Sequence, residues 1–163
     1  MDIKELFLKQ KEAHREQTRQ ILPLIPADKL DWRPEKDALS PGEMLRHLWM
    51  SEEGVCRVAL DGNFAYYEAR VPQGLRAVLG SHRTKEEEIE DLERVHEETL
   101  ARVADFPLER FAEVRAHDEL GFRRKVHVIL YGIIAHEIHH RAQLMTYLRL
   151  LGAGLTEPRS FRR

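Results

Sequence analysis

The segment VHVILYGIIAHEIHHRAQLMTYLRLL, residues 126–151, decides the fold of this 163-residue chain. Its first ten residues are apolar almost all round a helix, instead of along a single stripe. A helix of that kind has to be surrounded by other helices. The pattern predicts a long helix that begins near Gly121 and ends at Leu151, where Gly152 supplies the C-terminal cap.

Two capping signals mark the beginnings of two more helices. Ser40 and Glu43 have the spacing of a capping box and predict a helix that runs to about Leu60. Thr84 and Glu87 repeat that spacing and open the next helix, which has its own inward-facing apolar stripe. Both helices are long enough to contribute a face to a shared core.

The rest of the chain completes the architecture. An apolar stripe from about Asp2 to Leu24 predicts the first helix, and residues 61–83, which contain Pro72 and three glycines, predict a long crossover. No alternating pattern predicts strands. The sequence therefore predicts an all-α four-helix bundle with a long crossover connection between helices 2 and 3, folded as one domain over residues 1–163.

Composition narrows the classes of function. The chain is 42% hydrophobic and 33% charged, and it has no uncharged apolar run of the roughly 20 residues that a membrane span needs. A formal net charge of −2 argues against a nucleic-acid partner. The N-terminus lacks the pattern of a secretory signal, so we expect a cytoplasmic protein. The single cysteine, Cys56, cannot form an internal disulfide or a cysteine-rich zinc site.

The run from His136 to His140 carries the clearest chemical signal. Residues four apart lie about 40° apart around a helix and about 6 Å along it, so these two imidazoles can reach one ion. His139 lies about 100° from its neighbour and is a poorer third ligand. Imidazole binds zinc, nickel, copper or iron(II), so the ligand type alone does not select the metal.

A third ligand has to come from another helix, and His47 is the best candidate. It lies within MLRHLW, residues 44–49, and taken alone it would be interpreted as a core histidine. Three imidazoles leave a coordination position open, which is typical of catalytic metal sites. Gln143, seven residues after His136, shares the ligand face and either holds a water or substrate or lies at a helix crossing.

The other histidines have simpler interpretations. His14 and His96 lie on inner faces, where we expect hydrogen-bonded core residues, with His14 also placed to border the site. His82 and His117 fall in polar stretches and are predicted to face water. His127 is roughly opposite the ligand face and is not expected to reach the same ion.

The residues from His136 to His140 also satisfy the HExxH pattern of zinc metalloproteases. The extended pattern needs a glycine and a histidine where this chain has Gln143 and Thr146. The variant with a downstream glutamate ligand finds only Glu157, beyond the predicted helix. Such proteases also place a sheet beside the helix, and no strands are predicted. A zinc hydrolase is therefore the least favoured interpretation.

Three stretches of the chain resemble the DinB/YfiT-like family. They are the His-Leu pair at 47–48, the Leu-x-Trp-Arg-Pro pattern at 30–34, and HEIHHRAQ followed by LRxxG within 136–152. The family usually has glycine where this chain has Ala142, a small-for-small change that should leave the ligand face intact.

This resemblance implies a four-helix bundle with a three-histidine metal site, often zinc or nickel, and frequent homodimers. Carried over residue by residue, the metal ligands are His47, His136 and His140. Characterised members of the family include enzymes that use low-molecular-weight thiols such as bacillithiol or mycothiol. The leading hypothesis is a metal-dependent thiol S-transferase that acts on a small thiol and a small electrophile. The alternative is a non-catalytic metal-binding stress-response protein. No general base is identified, with Glu137 and Glu53 candidates only by proximity.

Overall fold

Helices make up most of the structure, a computed structural model that describes residues 1–153. In chain order they are α1 (Ile3–Arg19), α2 (Pro41–Asp61), α3 (Ala65–Gln73), α4 (Leu75–Leu79), α5 (Lys85–Asp105) and α6 (Val126–Leu150). The long helices α1 and α2 each pack against both α5 and α6, which makes a bundle of four. The predicted all-helical fold is confirmed.

The interior of the bundle has two apolar ends and a polar middle. One apolar cluster gathers around Phe7, Val103 and Leu130, and the other around Leu45, Leu92 and Leu144. Between them lies a set of buried polar side chains that we call the polar layer: Lys11, Arg15, Thr18, His47, Ser51, Glu52, His96, Thr99, Glu137 and His140. Because buried polar groups are costly unless they find partners, this layer has to be internally paired.

The predicted capping boxes are present at the beginnings of α2 and α5. The Ser40 hydroxyl accepts from the backbone N–H of Glu43 at 3.2 Å, and Thr84 caps α5 in the same way. The predicted end of the first helix is wrong by five residues, because α1 ends at Arg19 and Leu24 closes a separate 3₁₀ turn. Proline at the second position of that turn fits the break in the helix.

A short hairpin precedes α6 and corrects the prediction that the chain has no strands. Strands β1 (Val114–His117) and β2 (Phe122–Lys125) pair antiparallel, and α6 therefore begins at Val126 instead of near Gly121. Gly121 has a φ of 60° in the turn between the strands. The strands were missed because their sequences, VRAH and FRRK, are short and lack apolar alternation.

The predicted long crossover is confirmed and carries the two short helices α3 and α4, which are joined at Gly74. It connects α2 to α5, and α3 and α4 both pack against α2. Within residues 1–153, no helix combines the length and the apolar character needed to cross a bilayer.

Candidate metal centre

Three imidazoles from two helices meet at the polar layer: His47 and His140 belong to it, and His136 is half-buried beside them. His47 comes from α2, while His136 and His140 come from successive turns of α6. The Nε2 atom of His136 lies 2.9 Å from that of His47 and 3.0 Å from that of His140. One nitrogen of each ring lies within 4.8 Å of the others, so the group could hold a metal ion.

Hydrogen bonding alone satisfies this cluster poorly. A neutral imidazole nitrogen carries either one proton or one lone pair in the ring plane. His136 Nε2 contacts two other nitrogens, so a single proton or a single lone pair would have to serve both. A cation accepts all three lone pairs at once. Ligands about 2.0–2.1 Å from a tetrahedral zinc lie about 3.4 Å apart, so the two contacts of His136 Nε2 would need to open by only about 0.4 Å.

Neighbouring side chains orient two of the rings. Gln143 Oε1 accepts a hydrogen bond from Nδ1 of His140 at 2.7 Å, which leaves the lone pair of that ring on Nε2, toward the cluster. Nδ1 of His47 lies 2.9 Å from the Ser51 hydroxyl, which is 3.0 Å from the hydroxyl of Tyr66. Gln143 therefore orients the ring of His140, a more specific role than either of the two that the sequence suggested for it.

The three rings are held in the neutral form that metal binding requires. Burial is the main cause that lowers the pKa of His47 and of His136 to about 3, and the charges of neighbouring histidines and of Arg70 contribute to that shift. Burial also lowers the pKa of His140, although its hydrogen bond to Gln143 opposes this shift. All three imidazoles are therefore unprotonated at neutral pH.

Glu137, the acid of the HExxH pattern, contacts α1 instead of the histidine cluster. Its carboxylate accepts from Lys11 Nζ at 2.9 Å and from the Thr18 hydroxyl at 2.7 Å, and Arg15 Nε lies 3.1 Å away. Burial raises its pKa, but Lys11 and Arg15 outweigh that effect and lower it to about 2. The other candidate base, Glu53, pairs with Arg57 on the exterior of α2. Neither carboxylate serves the cluster.

A second buried carboxylate completes the pairing of the polar layer. Glu52 lies 3.1 Å from Lys11 Nζ and 2.8 Å from Arg15 Nη2, so two cations face two anions across α1, α2 and α6. Lys11 also donates to Nδ1 of His96 at 3.0 Å, and His96 Nε2 donates to Glu12 at 2.7 Å. The prediction that His96 is a hydrogen-bonded core residue is confirmed.

The remaining histidines lie outside the cluster. The prediction that His82 and His117 face water is wrong, because both are half-buried. Nε2 of His82 lies 2.9 Å from the Asp31 carboxylate, and Nε2 of His117 lies 3.0 Å from the Glu68 carboxylate. His82 lies against Gly42 of α2, and His117, at the end of β1, lies against the ring of Phe64, so polar flanking residues were misleading. His14 Nδ1 is buried and has no hydrogen-bond partner within the described part of the chain, contrary to the prediction.

His127 and His139 lie away from the ligand cluster, as their spacing predicted. His127 is hydrogen-bonded to the carbonyl of Phe111 at 2.8 Å, away from the ligand face. His139 is exposed and is not part of the histidine group. Glu157, the downstream glutamate considered for the protease pattern, lies outside the described residues.

A pocket of about 230 Å³ opens beside the cluster. His136 and Ser51 form its inner end, and Ile133 and Phe122 contribute to an apolar wall. Its rim includes two side chains from elements outside the four long helices, Arg70 on α3 and Arg124 on β2. The pocket gives a small molecule a route to His136.

Sequence reasoning missed several residues of the site. Ser51 follows His47 by four residues, a spacing that places both on one face of α2 and that could have been read as a supporting pair. Lys11 and Arg15 are also four apart, on the inward stripe of α1. Arg70 has no such signal, because its position depends on how the crossover folds.

Comparison with known proteins places the bundle in a family. The YjoA protein of Bacillus subtilis, itself described as uncharacterized, is 25% identical over 146 residues, 86% of this chain and 85% of its own length. The crystal structure of the DinB-like protein YjoA matches with a TM-score of 0.72 at 20% identity, covering 93% of this chain and 94% of that one.

A DinB-like protein from Bacillus cereus ATCC 10987 matches with a TM-score of 0.69 at 16% identity, covering 94% of this chain and 95% of its own. At these identities the two structures support the fold. The family model of the DinB superfamily matches residues 10–144, a range that includes all three clustered histidines and most of the bundle. The chain therefore belongs to the DinB superfamily.

Proposed function

We propose that His47, His136 and His140 bind one divalent transition metal ion, most suitably zinc or nickel. The observation that carries this proposal is the convergence of three neutral imidazoles, with Nε2 contacts of 2.9 Å and 3.0 Å that one proton cannot satisfy. Nitrogen donors of this type suit both metals. The orientation of His140 by Gln143 is the kind of outer contact that ligating histidines make.

The proposed site leaves room for an exogenous ligand. No further histidine, cysteine or carboxylate joins the group of three among residues 1–153. Three protein ligands leave at least one position of a tetrahedral shell open, and the pocket beside His136 leads to it. A structural site would close its shell with protein ligands, so this arrangement supports a catalytic role.

The reaction that we propose is metal-dependent thiol S-transfer of the bacillithiol or mycothiol type to small electrophiles. A divalent metal in this site would bind a thiol and lower its pKa. The thiol proton passes to solvent, the sulfur forms a bond to an electrophilic carbon, and the leaving group departs with the electrons of the broken bond. The chain contributes a neutral, oriented donor set and a small pocket with an apolar wall.

Metal binding is tested with two alanine variants and elemental analysis of protein purified without an affinity tag. His47→Ala removes a proposed ligand, whereas His139→Ala removes an exposed imidazole that neighbours the site. We expect about one equivalent of metal in the wild type and in His139→Ala, and a large loss in His47→Ala. Equal metal content in both variants would exclude the proposed ligand set.

The transferase activity needs its own assay. Metal-loaded protein is mixed with a model electrophile and with cysteine, bacillithiol or mycothiol, and conjugate formation is compared with that of the metal-free protein. We expect a metal-dependent rate that His47→Ala loses and His139→Ala keeps. No rate above background with any of these thiols would rule out the transferase while leaving metal binding intact.

One observation favours a second candidate, a stress-response protein that binds metal without catalysis. Neither Glu137 nor Glu53 faces the cluster, and Glu52, which lines the pocket, is already paired with Lys11 and Arg15, so none of these three carboxylates is free to act as a base. Metal would then stabilise the fold by binding only the native state. A raised melting temperature with metal, together with silence in the thiol assay, would select this candidate. The engagement of Glu137 by α1 leaves the zinc-hydrolase interpretation without its base.

Three sequence-based expectations about partners and location stay predictions. They are a homodimer, a cytoplasmic location and the absence of nucleic-acid partners. Light scattering after size exclusion would measure the first, and a gel-shift assay at physiological salt would test the last. A mass of about one chain, 19.1 kDa, would contradict the dimer.

A further inference from the structure

The pocket beside the histidine cluster has a distinctive charge pattern. Arg70 and Arg124 line it, and its wall contains a single carboxylate, that of Glu52. Glu52 is already neutralised by Lys11 at 3.1 Å and by Arg15 at 2.8 Å. The cationic charges of the two pocket arginines are therefore not balanced by the pocket itself.

Arg70 is the more informative of the two arginines. It is half-buried on α3, and within the described part of the chain its guanidinium has neither an ion pair nor a hydrogen bond. It lines the same pocket as His136, one of the three clustered histidines. A half-buried guanidinium without an anionic partner has unused donors for a carboxylate.

Arg124 also lines the pocket and lies on β2. It is exposed, and among residues 1–153 its guanidinium donates only from Nη1 to the backbone carbonyl of Arg123, so most of its donors have no partner there. Arg123, the preceding residue of β2, does not line the pocket. Two arginines from different elements thus converge on a volume whose inner end is His136.

The size of the pocket limits the ligand. A volume of about 230 Å³ lies below the roughly 300–1,000 Å³ of pockets that hold drug-sized ligands, so the pocket suits a compact molecule. The apolar wall, which includes Val55, Ile133 and Phe122, suits a short carbon segment. The pocket is thus cationic at the rim, apolar along the wall and nitrogen-lined at the inner end.

We infer that the pocket binds a small anionic substrate, with its carboxylate on Arg70 and Arg124 and its reactive end at the histidine cluster. This inference rests on the proposed function for the reactive end, and it specifies the substrate class that the proposal left open. The guanidinium groups supply affinity and orientation at one end. They are positioning residues, because they do not touch the reacting atoms.

Two thiols that differ in one carboxylate test the inference. Cobalt(II)-loaded protein is titrated with 3-mercaptopropionate and with 2-mercaptoethanol, and thiolate–cobalt absorption in the near ultraviolet reports binding directly. Because a hydrogen bond to a charged group is among the stronger ones, we expect 3-mercaptopropionate to bind about tenfold more tightly or better. That preference should shrink at high salt, since the rim is accessible to solvent.

Arginine variants locate the source of the preference. Arg70→Gln should remove most of it, Arg124→Gln should reduce it, and Arg70→Lys should keep part of it. Arg123→Gln is the matched control and should leave it unchanged. Melting temperatures and cobalt content confirm that each variant is folded and loaded. A preference that survives Arg70→Gln would mean that the carboxylate chelates the metal, which overturns the inference, as does equal binding of the two thiols by the wild type.

A metal-free measurement separates this inference from the proposed function. If the cobalt protein binds neither thiol, the proposed function fails and the thiol comparison cannot decide. Propionate is then titrated into the metal-free protein, and the backbone amide signals of residues 70 and 124 are followed by NMR. Shifts in the wild type that Arg70→Gln abolishes support the anion site on its own, and no shift in the wild type overturns it.

Discussion

Replacing Glu137 with glutamine should unfold the protein more readily instead of merely disabling a catalyst. Glutamine keeps the shape of the side chain and removes its charge. The structure then leaves Lys11 and Arg15, both almost fully buried, to face the single carboxylate of Glu52. Removing one partner from a buried ionic group costs about 3–5 kcal/mol, because the remaining charge has no compensation.

This loss is large beside the free energy of unfolding of a typical domain, about 5–15 kcal/mol. For a chain of this length it corresponds to a fall in melting temperature of about 6–20 °C. Circular dichroism during urea and thermal unfolding, at neutral pH with a chelator present, measures the effect without any contribution from metal. The double variant Lys11→Met/Glu137→Gln restores one cation to one anion and should recover part of the loss.

Glu53→Gln is the matched control. Glu53 is partly exposed and pairs with Arg57 four residues later at 2.6 Å, and exposed pairs of this kind are worth about 0.3–0.5 kcal/mol. If the free energy of unfolding of Glu137→Gln lies within about 1 kcal/mol of the wild-type value, about the scale of such surface pairs, the polar layer does not stabilise the bundle. A stable Glu137→Gln variant that loses hydrolytic activity would instead revive the zinc-hydrolase interpretation.

Three more outcomes follow from the site and its surroundings. The metal-free protein should lose stability as pH falls from about 6.5 toward 3. The pKa of His47 is lowered to about 3 in the folded protein, so the unfolded chain binds more protons than the folded one in that window. A urea midpoint that stays constant between pH 7 and pH 5 would contradict this. Gln143→Leu removes the acceptor for the ring of a proposed ligand and should weaken metal affinity about 10–100-fold in a chelator competition, with little change in the unfolding of the metal-free protein. Gly54→Ala should destabilise the protein by about 1–3 kcal/mol, since the new Cβ would lie 2.5 Å from Cγ of Tyr66. The Cβ of Gly132→Ala would meet nothing within 4 Å, so this variant should stabilise the protein by about 0.5–1 kcal/mol in the same urea titration.

The bundle was predictable from sequence where short-range rules govern it. Ser40 and Thr84 signal helix beginnings through contacts only three residues long, and the apolar first half of α6 requires neighbours whatever they are. The hairpin before α6 was not predictable in this way. Its pairing of Val114 with Lys125 spans eleven residues of polar sequence and depends on the turn at Gly121.

The histidine cluster divides along the same line. His136 and His140 are fixed relative to each other by one turn of helix, so spacing alone brings them together. The approach of His47 to the other two depends on how α2 packs against α6. It was inferred only because His136 and His140 need a third ligand from another helix. Arg70 shows where such inference ends, because the crossover that carries it has no periodic signal, and the pocket rim is known only from the structure.

The role of Glu137 shows most clearly why a local motif underdetermines chemistry. The pattern from His136 to His140 gives the acid a place beside two candidate ligands, and that geometry is compatible with a base on metal-activated water. What decides otherwise is the chemistry of α1: Lys11 and Thr18, which lie 126 and 119 residues away in sequence, both donate to the same carboxylate. Once the carboxylate is held by two donors and a nearby guanidinium, drawing it toward the histidines would leave buried cations unpaired. A chain with this motif and an apolar first helix would free the acid, whereas this chain uses it to hold the bundle together beneath the proposed metal.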